Sequence, residues 1–330
     1  MASTPASLLR ALDLLTLAPK PEIETLGAAR SSHFARVRSI TDSENVVAVG
    51  ISEKESDGKR TGELSVCFYV RKKLAPNKVK ASDALPPVLN APGGKAVFTD
   101  VKEIGKLAPE IAKKNKPLQS GFSVGHVRST AGTLGAIVKR DGKLYLLSNC
   151  HVLARSGNAS AGDQIVYPGP ADGGKVPTNL VARLSHFSPF DTTGALVNRV
   201  DAALAEVDRS RLAEIVFDID KATAPFAIIR PSRGMKVAKA GRTSGKTQGE
   251  IIDVNFRFVL QYSGVAGKVG YVDQVLCTRY TDAGDSGSIV VDSESGKIVG
   301  LHFAGAEGGS VFNPIQPVMS ALKFKFVTPP

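Results

Sequence analysis

Four consecutive residues, Gly284-Asp285-Ser286-Gly287, have the composition of a turn that presents a nucleophile. A serine hydroxyl attacks a carbonyl only when a neighbouring imidazole takes its proton, and a carboxylate must hold that imidazole in one tautomer. The oxyanion that forms then needs backbone N–H donors aimed at it in advance. Gly284 lets the backbone direct its own N–H and that of Ser286 toward one point, and Gly287 leaves space for a substrate chain. With each residue type near 7% of positions, this tetrapeptide arises by chance in only about 1% of chains this long. The apolar run Ser288-Ile289-Val290-Val291 follows at once, as a barrel strand would.

The imidazole and the carboxylate have to arrive from elsewhere. Leu146-Leu147-Ser148-Asn149-Cys150-His151 puts a histidine at the end of an apolar strand, well upstream of the serine turn. Asp201 heads the small-apolar strand Ala202-Ala203-Leu204-Ala205, which suits a buried orienting carboxylate. Asp191, in the loop Ser188-Pro189-Phe190-Asp191, is its rival. Cys150 and Cys277 are alternative nucleophiles, but neither lies in an oxyanion turn, so both read as structural. His33, His126 and His186 lack companions at metal-ligand spacing. Neither a metal nor an organic cofactor is expected.

One further motif competes for a function. Ala240-Gly241-Arg242-Thr243-Ser244-Gly245-Lys246-Thr247 satisfies a relaxed phosphate-loop pattern. Such a loop must open a helix, whereas Gly249 and Ile251-Ile252-Asp253-Val254-Asn255-Phe256 follow here with strand character. A barrel turn is the better reading.

These residues need a scaffold, and the chain changes texture near Gly121. Before it, the first 40 residues read as helical, with Thr4 as N-cap, Pro5 in the first turn and a stripe of Ile23, Leu26, Phe34 and Val37. A hairpin of Val46–Ser52 and Glu63–Lys72 comes next, with a third strand at Ala96–Val101. Leu64, Val66, Phe68 and Val70 alternate there with Ser65, Cys67, Tyr69 and Arg71. The Lys- and Pro-bearing stretch Lys106–Ser120 reads as a linker.

After it come short strands between glycine-rich turns: Thr133–Lys139, Tyr145–Ser148, Met235–Ala240, Gly249–Leu260, Asp273–Thr278, Ser288–Val291 and Ile298–Phe303. A last helix begins around Pro314–Pro317 and runs to Leu322. The spacing predicts a barrel or sandwich, with about 210 residues for two six-stranded barrels.

Composition narrows the setting. The 330 residues carry 42 Lys+Arg against 31 Asp+Glu, a net charge of +11. That excess is spread out: residues 1–120 hold 19 basic against 13 acidic side chains, and the rest hold 23 against 18. No nucleic-acid motif accompanies it, so a nucleic-acid partner is not expected. Three cysteines cannot make a disulfide framework. Arg10 and Asp13 interrupt the N-terminal apolar stretch, which argues against a secretory signal. A cytoplasmic protein is expected, with no membrane contact and the Asn158-Ala159-Ser160 sequon unused.

The order His, Asp, Ser, the Ser148-Asn149-Cys150-His151-Val152 element and Gly284-Asp285-Ser286-Gly287 resemble the trypsin/chymotrypsin superfamily. Within it, the chain is similar to the intracellular bacterial and plant branch related to the plant narrow-leaf proteins. Gly132-Thr133-Leu134-Gly135-Ala136, Gly162-Asp163, Pro168-Gly169, Asp172-Gly173-Gly174 and Asn198-Arg199-Val200-Asp201-Ala202-Ala203 carry that likeness. It extends more loosely through Val49–Lys54, Glu63–Lys73 and Thr99-Asp100-Val101.

The resemblance implies a mainly β fold: a chymotrypsin-like double β-barrel over residues 121–330, preceded by a small α+β domain over residues 1–120. It implies a serine endopeptidase acting through an acyl-enzyme on protein or peptide substrates, with Ser286 as nucleophile, His151 as general base and Asp201 as its orienter. Gly284 and Ser286 amides would form the oxyanion hole. Tyr280, six residues before the nucleophile, would floor the specificity pocket, and the strand through His302, Phe303 and Ala304 would line the substrate. The N-terminal domain would present substrates, restrain the protease, or mediate assembly with a regulatory partner or a second copy. An esterase would have the same residues; a pseudoprotease scaffold is the rival reading. In secreted relatives a cysteine follows the histidine and a freed N-terminus pairs with the acid before the serine. Here Val152 follows and Cys150 precedes, and what holds Asp285 is left open.

Overall fold

Two-residue periodicity governs most of this chain, and the strands it produces form two sheets. The computed structural model describes residues 4–17, 28–56, 58–90, 96–107, 118–208 and 227–327. It begins with helices α1 (Ala6–Thr16) and α2 (Ala28–Thr41). Leu8, Ala11, Leu12 and Leu15 recur every three or four residues on α1 and are all buried. Pro5, not Thr4, is the N-cap, and the Thr4 hydroxyl instead accepts a hydrogen bond from the Arg233 guanidinium at 3.0 Å. Phe34 and Val37 are buried on α2, whereas Ile23 and Leu26 lie outside the described residues.

Strands β1 (Val46–Ser56), β2 (Lys59–Val70), β3 (Val88–Asn90) and β4 (Ala96–Glu103) complete the N-terminal part. The alternation on β2 divides its side chains between two cores. Val66 and Phe68 join the leucines of α1, while Cys67 and Tyr69 join Phe256, Phe258 and Tyr271. Both faces of β2 are buried, one under α1 and the other in the aromatic cluster around Phe256 and Tyr271, and the sheet continues beyond β1. That strand also pairs with β14 (Gly245–Leu260), matching Ala48 with Phe258 and Val49 with Arg257. Arg257 then clamps α1 by donating to Asp13 Oδ1 (2.7 Å) and Thr16 Oγ1 (2.6 Å).

The seam between β1 and β14 holds a buried acid. A Cβ on Gly50 would lie 2.0 Å from Asp253 Oδ2, so only glycine fits there. Asp253 accepts hydrogen bonds from Tyr69 Oη (3.1 Å) and from the Asn255 N–H (2.7 Å). Burial outweighs those bonds and pushes its carboxyl up to about 7. Because this exceeds the value in the unfolded chain, about 3.9, ionisation opposes folding, and stability falls as pH rises from about 4 to about 7. Asp253→Asn is therefore expected to raise the melting temperature relative to wild type at pH 8 more than at pH 5. Thermal melts at the two pH values test this, and an equal change at both would assign the titration to another group.

The first barrel contains β5 (Ser123–His126), β6 (Gly132–Thr133), β7 (Ala136–Arg140), β8 (Lys143–Ser148), β9 (Gln164–Val166), β10 (Leu180–Phe187) and, after β11 (Thr193–Asn198), β12 (Ala203–Val207). A short helix α3 (Cys150–Leu153) follows β8. The strand expected at Thr133–Lys139 is broken at Leu134-Gly135, where Gly135 passes so close to Gly287 that a Cβ would lie 2.5 Å from its carbonyl oxygen.

The second barrel contains β13 (Lys236–Gly241), β14, β15 (Lys268–Cys277), β16 (Ile289–Asp292), β17 (Ile298–Ala306) and β18 (Gly309–Pro314). Helix α4 (Ile315–Leu322) then leads to β19 (Lys325–Phe326), which returns to pair with β7 of the first barrel. Strand β11 crosses the other way and pairs with β15. The barrels are thus joined by strands exchanged in both directions. No helix among the described residues is long and apolar enough to cross a membrane.

Candidate active site

Strand β8 delivers the histidine. It ends at Ser148, whose Oγ donates to the Thr133 carbonyl at 2.7 Å. The chain then turns into α3, placing His151 next to Asp201 at the head of β12. His151 Nδ1 lies 2.5 Å from Asp201 Oδ2, and the His151 N–H donates to Asp201 Oδ1 at 3.1 Å. Asp201 is fully buried, and its main chain is gripped from both barrels. Asn149 Nδ2 donates to its carbonyl at 2.7 Å, and its N–H donates to Asn313 Oδ1 at 2.9 Å. Asn313 is itself oriented by Gln274. The rival carboxylate stands apart: Asp191 is exposed and accepts from the N–H and hydroxyl of Thr193, which hold its carboxyl below its ordinary range.

The loop bearing Ser286 lies between the barrels. Gly284 and Gly287 have φ of 109° and 98°, a region glycine alone enters without strain. A Cβ on Gly287 would also lie 2.2 Å from Ser148 Oγ. Thr133 on β6 holds the loop from the first barrel, donating its hydroxyl to the Gly284 carbonyl (2.8 Å) and its N–H to the Ser286 carbonyl (2.7 Å). Within the loop, the N–H groups of Asp285, Gly287 and Ser288 donate to Asp282, His302 and Asp285 carbonyls. Ser286 is fully buried and its Oγ donates to the Phe303 carbonyl at 3.2 Å. His151 Nε2 has no hydrogen-bond partner among the described residues.

Asp285 is held in a closed polar cage. Lys239 on β13 reaches its Oδ2 at 2.8 Å, and neither side chain is exposed. Ser244 Oγ (2.5 Å) and the Asp282 N–H (2.9 Å) donate to the same oxygen. The N–H groups of Thr243 (3.1 Å) and Ser244 (3.2 Å) take Oδ1. Burial alone would push this carboxyl up, but Lys239 and the hydrogen bonds outweigh it and hold it below the ordinary carboxylate range.

A family model for the trypsin-like peptidase domain matches residues 132–301. The chain belongs to this family. Its double barrel is the chymotrypsin-like fold. The chain is also similar to Protein NARROW LEAF 1 of Oryza sativa subsp. japonica, at 24% identity over 302 residues. That match covers 78% of this chain and 50% of the rice protein, so the chain spans about half the length of that relative. Among solved structures it is similar to Thermobifida fusca Protease A (14% identity, TM-score 0.44) and a Cellulomonas bogoriensis chymotrypsin (15%, 0.43). Each match covers 64% of this chain and 98% of the other.

In this trypsin-like domain the phosphate-loop look-alike is the hairpin turn between β13 and β14, and its Thr243 and Ser244 amides bind a carboxylate. Its Arg242 also grips Asp172 of the first barrel through two bonds of 2.6 Å. Cys150 and Cys277 are buried, and burial pushes both thiols well up, so they stay protonated. No group of three metal-ligating side chains is found among the described residues. Tyr280, His302, Phe303 and Ala304 are all buried, and the rings of Tyr280 and His302 lie 6.4 Å apart. Tyr280 packs into the apolar core of the second barrel, with Gly249 against its ring.

Lys239, Tyr262 and Asn313 escaped sequence reasoning. Lys239 was legible as a lone cation in the small-apolar stretch Val237-Ala238-Lys239-Ala240. Tyr262 gave no such signal, since only the fold brings it to Asp201.

Proposed function

We propose that the chain is a serine endopeptidase that hydrolyses peptide bonds through an acyl-enzyme. The observation that carries this reading is the His151–Asp201 pair, which Thr133, Asn149 and Asn313 hold in a common framework with the Ser286 loop. Ser286 is the nucleophile. His151, its Nδ1 proton held by Asp201, takes the serine proton at Nε2 and later returns it to the leaving amine. The N–H groups of Gly284 and Ser286 stabilise the oxyanion. For attack the Ser286 hydroxyl must turn from the Phe303 carbonyl to His151, and the carbonyl it leaves then serves a substrate N–H.

Tyr280, His302, Phe303 and Ala304 form the substrate wall. Asp282, the nearest acid to the pocket in sequence, is engaged by Arg279 at 2.8 Å and is exposed. With the Tyr280 ring as floor and apolar side chains such as Val237, Ile251 and Val275 packed around it, a small or medium apolar residue before the scissile bond fits best. The N-terminal part, continuous with the second barrel through β1 and β14, supports the domain and carries contacts to a substrate, regulator or second copy.

A restrained scaffold is favoured by one observation, the full burial of Ser286 with its hydroxyl on Phe303. A fluorophosphonate probe separates the two readings. Labelling at Ser286, with cleavage of a peptide library after apolar residues, is the expected result. Absence of labelling in folded protein would overturn the peptidase reading, and a strong preference for Lys or Arg would overturn the pocket assignment.

A further inference from the structure

Asp201 Oδ2 accepts two hydrogen bonds, from His151 Nδ1 and from the Tyr262 hydroxyl at 2.7 Å. Tyr262 lies in the connection after β14, so this second donor reaches the acid from the opposite barrel. The Tyr262 hydroxyl is also 2.8 Å from the Tyr271 hydroxyl. Proton counting fixes the direction of this chain. An ionised carboxylate only accepts, so Tyr262 spends its one proton on Asp201 and must accept from Tyr271. Burial, and then the charge of Asp201, push both phenols well up, so both keep their protons.

The rings are locked. Tyr262 stacks on Phe190 (5.0 Å) and lies 5.6 Å from the His151 ring. Tyr271 stacks on Phe258 (5.4 Å) and meets Phe303 at 5.0 Å. Phe258 sits on the strand that pairs with Ala48 of the N-terminal sheet.

We propose that Tyr262, oriented by Tyr271, is a positioning residue for the peptidase reaction: its phenol holds the Asp201 carboxylate and tempers its basicity, and so sets the proton affinity of His151. This rests on the reading of His151 and Asp201 as base and orienter. A carboxylate whose charge is shared with a phenol stabilises the imidazolium less than one bound to histidine alone. The other titratable groups around Asp201 are Tyr271 and the Cys150 thiol, both kept neutral by burial, which leaves His151 as the group that responds.

The test is the NMR titration of His151 in wild type and Tyr262→Phe, which keeps the ring and removes the donor. The His151 titration is expected to move to higher pH in the variant, because the carboxylate facing it has lost a donor. The acid limb of kcat/KM should move the same way, with kcat down about tenfold. Tyr271→Phe, which leaves the Tyr262 donor in place, should give a smaller rise and serves if Tyr262→Phe does not fold. An unmoved His151 titration in a folded variant overturns the proposal. Because the titration needs no turnover, a shift in a protein that cleaves nothing would overturn the peptidase reading and keep the positioning role.

Discussion

Ser286→Ala is expected to fold as wild type does and to lose about 10⁶-fold in kcat, the scale on which removal of a triad serine acts. The structural change is small, since one hydroxyl leaves a packed loop whose two glycines, Thr133 bonds and Asp285 cage are untouched. The lost bond to the Phe303 carbonyl costs on the order of 1 kcal/mol. Chemistry suffers because nothing else can form the acyl-enzyme. Cys150 and Cys277 are buried thiols that burial keeps protonated, and neither lies in the Gly284–Gly287 turn. His151→Ala should lose a similar amount, and the double variant little more than either, since the residues act as one unit. Steady-state kinetics of the three proteins, with circular dichroism to confirm folding, measure this. Peptidase activity that survives Ser286→Ala and disappears in Cys277→Ala would sink the assignment.

How much of this was legible in the sequence depended on how local the signal is. The serine turn, the histidine after an apolar strand and the last helix rest on neighbours within a few residues, and the structure places each element within a residue or two of its predicted bounds. Strands β5, β9 and β18 gave no clear pattern, because strands of three to six residues hold too few alternations to read. Burial on both faces of β2 was hidden for another reason: Cys67 and Tyr69 pack with Phe256, Phe258 and Tyr271, which lie roughly 190 to 200 positions later in the chain.

The same distinction separates the site residues. Asp201 announces itself at the head of a small-apolar strand. Tyr262 and Asn313 are ordinary strand-end residues until the two barrels meet. Lys239 belongs to neither group, since a lysine between Ala238 and Ala240 is locally odd, yet its partner lies 46 residues away.

That partner makes Lys239 the second decisive position. The resemblance to secreted relatives, which free an N-terminal ammonium to meet the acid before the serine, left Asp285 without a known counterion. Lys239 supplies one from inside the barrel, at 2.8 Å, with Ser244 Oγ beside both groups. Replacing it with methionine keeps the length and removes the charge, leaving a buried carboxylate held only by neutral donors. Breaking such a pair on one side typically costs about 3–5 kcal/mol of stability.

Asp285 also fixes the turn whose Gly284 and Ser286 N–H groups are proposed to hold the oxyanion. Lys239→Met should therefore lower kcat by roughly 10²–10³, the scale of a lost oxyanion donor. The pH dependence carries a sign. The Asp285 carboxyl is held below its unfolded value, so the stability it contributes is present above about pH 4 and is lost as pH falls through its folded value. Lys239→Met should flatten that acid loss. Adding Asp285→Asn should return much of the stability, because no charge is then stranded, while the rate stays low. Denaturant melts across pH and kinetics of the single and double variants decide the matter, and a Lys239→Met protein with full kcat would show that the cage is packing alone.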